Sequence, residues 1–267
     1  MWIAPGSPLH MVDTRAAAAG AHDNAWFENA ARGGFAASGV LHLLVAWIVL
    51  RLALGDPGSA DQSGALAALS AQTGGAVMLW VAAVVLAALG LWHVVEAVAE
   101  TEVKDRAKAG AIGVVHFALA FSAAKFAMGS GQSSGQQNAG LSARMMQTGW
   151  GKGVLVLVAL AVIGVGGYHV YKGVTKRFLK DLEVSGGSAV TPLGITGYVA
   201  KGAVLVGAGL MVIFATMTSD PSKATGIDAA IKTLGAAPLG KFLLILAALG
   251  IAAYGVYGFV RSRYADM

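Results

Sequence analysis

The chain has 267 residues, of which 56% are hydrophobic and 12% charged, and its mean hydropathy is +0.66. An ordinary soluble domain has roughly a quarter charged residues, so this composition excludes a water-soluble globule and places the chain in a lipid bilayer. The formal charge is +5, but Lys and Arg lie at the ends of apolar runs rather than along one face, which argues against a nucleic-acid-binding surface.

Residues 1–22 are predicted to be a tail, and Asp23-Asn24 to cap a short helix, AWFENAAR, that lies at the membrane interface. Residues 1–33 contain no apolar core of the length found in signal peptides, so we expect no cleavable signal and insertion through the first spanning helix. The chain has no cysteine, which excludes disulfides and thiolate metal sites.

Six apolar stretches follow, each with 19 to 24 residues. That length spans roughly 30 Å of hydrocarbon as a helix, so the sequence predicts an all-α, polytopic membrane protein with six transmembrane helices. The stretches are residues 34–54, 76–99, 110–128, 153–174, 197–217 and 240–260.

One segment of sequence occurs three times. GLWHVVEA at residues 90–97 returns as GGYHVYKG at 166–173 and, less closely, as AAYGVYGF at 252–259. The copies begin 51, 53 and 50 residues after three glycines that open the preceding apolar runs, Gly39, Gly113 and Gly202. Such regular spacing indicates an internal repeat. We therefore divide the chain into a tail (1–33) and three two-helix repeats, 34–103, 104–183 and 184–267.

Because every repeat has two spans, successive repeats enter the membrane in the same direction, and we expect parallel helical hairpins around a pseudo-threefold axis. The loop within each repeat contains a short amphipathic segment, at residues 65–72, 141–147 and 227–234. We interpret these segments as cap helices that dip Leu, Ile and Met side chains into the outer headgroup boundary.

The basic residues predict the topology. Twelve Lys and Arg residues lie on the side of the termini and seven on the opposite side, which predicts cytoplasmic N- and C-termini in a bacterial plasma membrane.

The most distinctive sequence motifs lie in the third repeat. They are GYVAKG at residues 197–202 and DPSKATGIDAAIKTL at 220–234, and they precede a helix that ends AYGVYGFVRSRY. With YHVYKGVTKRF at residues 168–178, they closely resemble the bacterial, largely actinobacterial, membrane family catalogued as domain of unknown function 1206, over about residues 35–264. The resemblance implies six transmembrane helices in three two-helix repeats and no established activity. In the family pattern Tyr, Arg or Gln is common where this chain has its intramembrane histidines, so we interpret the histidines as a feature of this member.

Four histidines are the strongest candidates for chemistry. At 1.5 Å per helical residue they lie roughly 8 to 12 Å from the cytoplasmic helix ends, in one layer. They are His42, His93, His116 and His169. Imidazole can ligate haem iron or a metal, or act as a proton switch. Equally, duplication alone would place them at matching positions, each satisfied by one hydrogen bond, and the third repeat has Leu205 and Gly255 instead.

Glu96 and Lys172 occupy equivalent positions in repeats one and two. An ion pair between them across the bundle would reduce the desolvation cost of each, and snorkelling to the headgroups is the alternative. The sequence contains no P-loop, HExxH or nucleophile elbow, so we expect no enzyme.

Three functions remain open. The first is a non-enzymatic accessory, scaffold or lipid-interacting component, with membrane lipids and other membrane proteins as partners, no nucleic acid and no cofactor. The second is a haem- or metal-binding protein that uses the histidine layer, with haem b as the candidate cofactor. The third is a small transporter or channel, which would require a polar pathway through the bundle.

Overall fold

The computed structural model describes residues 25–183 and 188–266, so the predicted tail and the Asp23-Asn24 cap lie outside the described residues. In the described residues the chain forms nine α-helices and two short 3₁₀-helices, and no strand longer than an isolated bridge. The six long helices are α1 (Ala25–Ala53), α3 (Gly75–Ala99), α4 (Val103–Ala127), α6 (Gly149–Val174), α7 (Val190–Thr218) and α9 (Gly240–Tyr264). The three short helices are α2 (Gln62–Ser70), α5 (Ser134–Met146) and α8 (Ile227–Ala236).

The six long helices confirm the predicted spans, because each is long and apolar enough to cross a bilayer. The separate interfacial helix predicted at AWFENAAR is wrong, since those residues are the first turns of α1. Helices α4 and α7 also begin before their apolar stretches, at Val103 and Val190. In α4 these first turns contain Lys, Arg and Ala, which have good helix propensity, whereas residues 190–196 of α7, VTPLGIT, consist largely of poor helix formers, so neither hydropathy nor propensity predicts that start.

The most extensive helix contacts join neighbouring repeats rather than the two helices of one repeat. Helix α3 packs along α4, α6 along α7, and α9 along α1. Each crossing brings two glycines into backbone contact: Gly90 with Gly113, Gly166 with Gly202, and Gly255 with Gly39. A Cβ atom at Gly202 would lie 2.5 Å from the carbonyl oxygen of Gly166. Small residues are therefore required for these crossings, as expected for helices packed in lipid.

Contacts within the repeats are unequal. Helices α1 and α3 of the first repeat pack against each other, and so do α7 and α9 of the third. Among the described residues, α4 and α6 of the second repeat make at most glancing contact. The six spans therefore form an open ring in the order α4, α3, α1, α9, α7, α6.

The three outer loops meet at one end of the bundle. The backbone N–H of Ala60 donates to Asp228 Oδ1 at 2.9 Å, and the N–H of Ser134 donates to Ser63 Oγ at 3.0 Å. Asn138 lies beside Gly226 and completes the triangle between the second and third repeats. Because all three within-repeat loops lie together, the repeats run in the same direction, as the sequence predicts.

The cap helices α2, α5 and α8 turn their main apolar side chains into the bundle. Leu66 and Ile231 are each 1% exposed and pack in clusters with the long helices, and Met146 is buried against α6 and α7. For these side chains the expected insertion into the headgroup boundary is therefore wrong, because protein rather than lipid covers them. Leu141 of α5, in contrast, is 60% exposed.

Candidate functional site

Three of the four predicted histidines have the same local hydrogen bond. In each, the ring Nδ1–H donates to the backbone carbonyl four residues earlier on the same helix. The distances are 2.8 Å from His42 to Ser38, 2.9 Å from His116 to Ile112 and 2.9 Å from His169 to Val165. Because a carbonyl oxygen only accepts, Nδ1 carries the proton, and in the neutral ring the Nε2 lone pair is left for another partner.

His93 differs from the other three. Its Nδ1 lies 2.7 Å from Glu96 Oε2, one turn further along α3. The residue is 9% exposed, and its Nε2 is buried with no hydrogen-bond partner among the described residues. The ring packs against His116 of α4, with the two centroids 5.2 Å apart. The structure thus brings together one histidine from the first repeat and one from the second.

His42 and His169 lie on either side of a pair of tyrosines. The centroids of His42 and Tyr254 are 4.8 Å apart, those of Tyr254 and Tyr198 are 5.3 Å apart, and those of Tyr198 and His169 are 5.7 Å apart. The predicted layer of four histidines is therefore divided into one direct pair and two rings separated by tyrosines.

The ends of the long helices nearest the termini carry four partly buried cations. Two of them have carboxylate partners: Lys172 Nζ lies 2.5 Å from Asp181 Oδ2, and Arg32 Nη2 lies 3.1 Å from Glu183 Oε1. Thus the structure gives Lys172 a partner in the next connection and gives Glu96 a partner in His93, and the expected pairing of these two with each other is replaced by two local ones.

The other two cations lie over aromatic rings. Lys201 Nζ is 4.1 Å from the ring centroid of Tyr254, and the Arg261 guanidinium carbon is 4.0 Å from that of Phe35. Within the described residues neither forms an ion pair within 4.0 Å, and Arg261 Nε is buried without a hydrogen-bond partner. Cation–π contact offsets part of the cost of burying these charges.

A small cavity opens beside Arg261. Its volume is about 20 Å³, and its lining residues are Phe35, Ser38, Gly39, His42, Tyr254, Tyr257, Gly258 and Arg261. That volume is enough for one water molecule or one oxygen atom of a larger ligand. The cavity lies where α1 and α9 cross, between the first repeat and the third.

The same end is tied together by the segments that follow α6 and α9. Leu182 and Ala265 form an antiparallel bridge, and Tyr257 Oη donates to the backbone carbonyl of Phe178 at 3.0 Å. Phe178 itself is fully buried between Tyr198 and Tyr257. These contacts hold in place the tyrosine rings over which the two lysines lie: Lys172 lies over Tyr198 and Lys201 over Tyr254.

The third repeat lacks the histidine and the charge for a steric reason. Gly255 stands where His93 and His169 stand, and a Cβ atom there would lie 2.9 Å from the carbonyl oxygen of Gly39. Gly258 stands at the position of Glu96 and Lys172, and its Cβ would lie 2.9 Å from the Cα of Gly39. Helices α1 and α9 approach too closely at these positions for any side chain.

The sequence predicts no site role for Tyr198 or Tyr254 and uses Lys201 and Arg261 only as topology signals, although all four occur in the segments that carry the family resemblance. An available signal was their concentration in GYVAKG and AYGVYGFVRSRY. No local pattern, however, shows that these two segments lie on neighbouring helices and contact each other.

The comparisons with known proteins agree with this architecture. The family described as Domain of Unknown Function (DUF1206) matches the chain three times, over residues 33–100, 107–176 and 196–265. The chain belongs to this family.

A relative of this DUF1206 protein occurs in Bacillus subtilis (strain 168), where it is described as Uncharacterized protein YxxB. The two sequences are 28% identical over 255 residues, which cover 91% of this chain and 92% of the relative. No solved structure gives a significant match. The DUF1206 chain is thus a multi-pass membrane protein of a family without an assigned activity, and its actinobacterial source stays a prediction.

Proposed function

We propose that this DUF1206 protein is a non-enzymatic component of the bacterial plasma membrane that binds the head group of an anionic lipid at the end where its termini lie. The observation that carries the proposal is the pair of cations Lys201 and Arg261, which lie partly buried on aromatic rings, with Arg261 at the wall of a small cavity. Partners beyond lipid, such as another membrane protein, are compatible with this function.

The charge balance supports an anionic ligand. Asp181 and Glu183 offset Lys172 and Arg32, so that of the four partly buried cations at this end Lys201 and Arg261 are the two without a carboxylate within 4.0 Å among the described residues. A partly buried charge at the membrane is costly unless an opposite charge neutralises it. A lipid phosphate supplies that charge and accepts several hydrogen bonds from a guanidinium group.

The depth of these residues also fits a head group. Arg261 lies near the end of α9, which begins at Gly240. At 1.5 Å per residue the intervening helix is roughly 30 Å long, which matches the thickness of the hydrocarbon core. Arg261 therefore lies at the level of the lipid phosphates, and the cavity beside it can accept one oxygen atom of the ligand or a bridging water.

The test measures lipid binding directly. The full-length protein is purified in mild detergent and titrated with phosphatidylglycerol or phosphatidylcholine, and bound lipid is counted by native mass spectrometry. We expect the wild type to bind phosphatidylglycerol at least tenfold more tightly, and Arg261→Gln and Lys201→Gln each to lose most of that preference. Arg261→Lys, which keeps the charge, separates loss of binding from loss of folding because it retains part of the preference.

The matched control is Lys104→Gln, which removes a basic residue from the first turn of α4 on the same side of the membrane. It should leave the preference unchanged. An equal decrease in Lys104→Gln and Arg261→Gln would mean that only the general surface charge attracts the lipid, and would overturn the proposal, as would equal binding of both lipids by the wild type.

The proposed orientation has a separate test, since the chain contains no cysteine. Asp266→Cys introduces a thiol beside the C-terminal bridge, and Ser130→Cys introduces one in the loop before α5. In intact cells a membrane-impermeant maleimide should label Ser130→Cys and reach Asp266→Cys only after lysis. The reverse pattern would contradict cytoplasmic termini.

A further inference from the structure

The contact between His93 and His116 is fixed by the fold rather than by the two side chains. Both lie at the crossing of α3 and α4, where the Cβ position of Gly113 is 3.2 Å from the carbonyl oxygen of Gly90 and 3.4 Å from the Cβ of His93. Helices held at backbone contact allow little relative movement. The two imidazoles therefore form a preorganised pair, one from each of two repeats, with centroids 5.2 Å apart.

A hydrogen bond at Nδ1 of each ring leaves Nε2 as the nitrogen that carries the free lone pair. Nδ1 of His93 is bound to Glu96, and Nδ1 of His116 donates to the carbonyl of Ile112. A carboxylate or a carbonyl that holds one ring nitrogen is the usual support of a metal-ligating histidine, because it fixes the tautomer and raises the basicity of the other nitrogen.

The Nε2 atom of His93 has no partner that accounts for its burial. It has almost no solvent-accessible surface and forms no hydrogen bond among the described residues, in a residue that is 9% exposed. A buried polar atom without a partner costs about 1 to 3 kcal/mol, and most such atoms in native proteins have one. The partner expected here has to fit beside the ring of His116, because that ring packs against His93.

We propose that Nε2 of His93 and Nε2 of His116 bind a single transition-metal ion. Imidazole nitrogen is a suitable ligand for zinc and copper. With metal–nitrogen bonds of roughly 2.0 to 2.1 Å, two nitrogens that share one ion are up to about 4 Å apart, a distance that rings with these centroids can adopt. The described residues contain no cluster of three or more His, Cys, Asp or Glu side chains, so water or an exogenous ligand completes the coordination shell.

The proposed ion binds to two of the four histidines and not to all four. His42 and His169 contact tyrosines instead of a second imidazole, and therefore lack the partner that an ion between two rings requires. Direct contact of the His93 and His116 rings, at a crossing where the backbones of α3 and α4 touch, also suits a bare ion better than a porphyrin placed between them.

The test is a metal titration of the full-length protein in detergent after removal of metal with a chelator. Zn²⁺ and Cu²⁺ are titrated separately by isothermal calorimetry, and bound metal is counted after desalting. We expect one ion per chain for the wild type and at least a hundredfold weaker binding for His93→Ala and for His116→Ala. The matched controls His42→Ala and His169→Ala, which remove histidines with the same backbone hydrogen bond, should bind as the wild type does.

Glu96 is a positioning residue in this site. Glu96→Gln keeps the size of the side chain but weakens its hold on Nδ1, so the affinity should fall by about 10- to 100-fold while the stoichiometry stays at one. Helix content measured by circular dichroism separates these effects from misfolding. The proposal is overturned if the wild type binds neither ion, or if His93→Ala and His116→Ala bind with unchanged affinity. Neither result bears on lipid binding at Arg261.

Discussion

The crossing of α1 with α9 differs from the other two crossings between repeats in what surrounds the paired glycines. Where α3 meets α4, and where α6 meets α7, a histidine follows the glycine motif and finds room beside the neighbouring helix. Where α9 meets α1, the equivalent residue is Gly255, and it contacts the backbone of Gly39 directly. Space at a helix crossing thus decides whether a repeat can carry a polar side chain there.

A histidine placed at position 255 should have the largest effect on folding. Gly255→His copies the first two repeats into the third, but its side chain would collide with the carbonyl oxygen of Gly39 and with Leu43. We expect little monodisperse protein in size-exclusion chromatography, because a backbone clash cannot be relieved by a rotamer change. Gly167→His is the matched control, since a Cβ there has no neighbour within 4 Å. Equal yields and melting temperatures for the two variants would contradict the comparison.

A series of glycine-to-alanine changes should rank the helix crossings by how much stability each one loses when a methyl group is added. The added methyl group would lie 2.5 Å from a carbonyl oxygen at Gly202 but 3.2 Å from one at Gly113. We expect Gly202→Ala to destabilise by about 2 kcal/mol and Gly113→Ala by less than about 1 kcal/mol, as overpacking costs increase with the clash. Gly164→Ala, with no neighbour within 4 Å, should be neutral or stabilising by up to about 1 kcal/mol because alanine is the better helix former. Reversal of the first two in a thermal-unfolding assay would contradict the ranking.

Tyr257 gives a smaller contrast between the third repeat and the second. It is 1% exposed and its hydroxyl donates to Phe178, whereas Tyr171 at the equivalent position is 44% exposed. Tyr257→Phe leaves the Phe178 carbonyl without this donor, which should cost about 1 kcal/mol. Tyr171→Phe should change the melting temperature little. If both variants melted together with the wild type, the hydroxyl of Tyr257 would have no role in holding the segment after α6.

The smallest expected effect concerns the outer turn of the third repeat. Asp56 of the first repeat pairs with Arg51, but the third repeat has Phe214 in place of that arginine, and Asp220 is bound instead by Ser222 and Lys223. The Ser222 side-chain hydrogen bond, followed by that of Lys223, lowers the pKa of Asp220 from its usual value of 3.8. A lowered folded-state pKa stabilises the protein above the unfolded-state value, and this contribution is lost as the pH falls through the folded-state pKa.

We therefore expect Ser222→Ala to lower the melting temperature slightly at pH 7. The difference from the wild type should shrink as the pH falls below the usual Asp value of 3.8, and disappear once the pH is below the lowered folded-state pKa, where the carboxyl is protonated in both folded and unfolded chains. Differential scanning fluorimetry across this range measures the effect. A difference that persists unchanged at the lowest pH would mean that Ser222 acts through something other than the charge of Asp220.

Much of the architecture follows from the sequence because its signals are local. Apolar runs of spanning length, a motif that returns at nearly constant spacing and the Gly-rich starts of those runs predict six spans in three parallel repeats. The helix ends outside the bilayer were less predictable. The residues before Gly110, which are basic, and those before Gly197, which are rich in Gly, Ser and Thr, indicate connections, yet the helices begin at Val103 and Val190. Polar sequence is compatible with both a loop and a helix that projects from the membrane.

The sequence by itself determined that this chain belongs in a bilayer, that it repeats a two-helix unit three times, and that its four intramembrane histidines recur at two positions of that unit. Only the tertiary structure decided that His93 meets His116 while His42 and His169 meet tyrosines, that Lys201 and Arg261 are left beside a cavity, and that the caps face inward. The physical reason is that a repeat fixes the position of each residue along its own helix, whereas its neighbours depend on how closely two helices from different repeats cross. At the crossing of α3 and α4 that distance is set by Gly90 and Gly113, which lie on helices of two different repeats, each three residues before the histidine on its own helix.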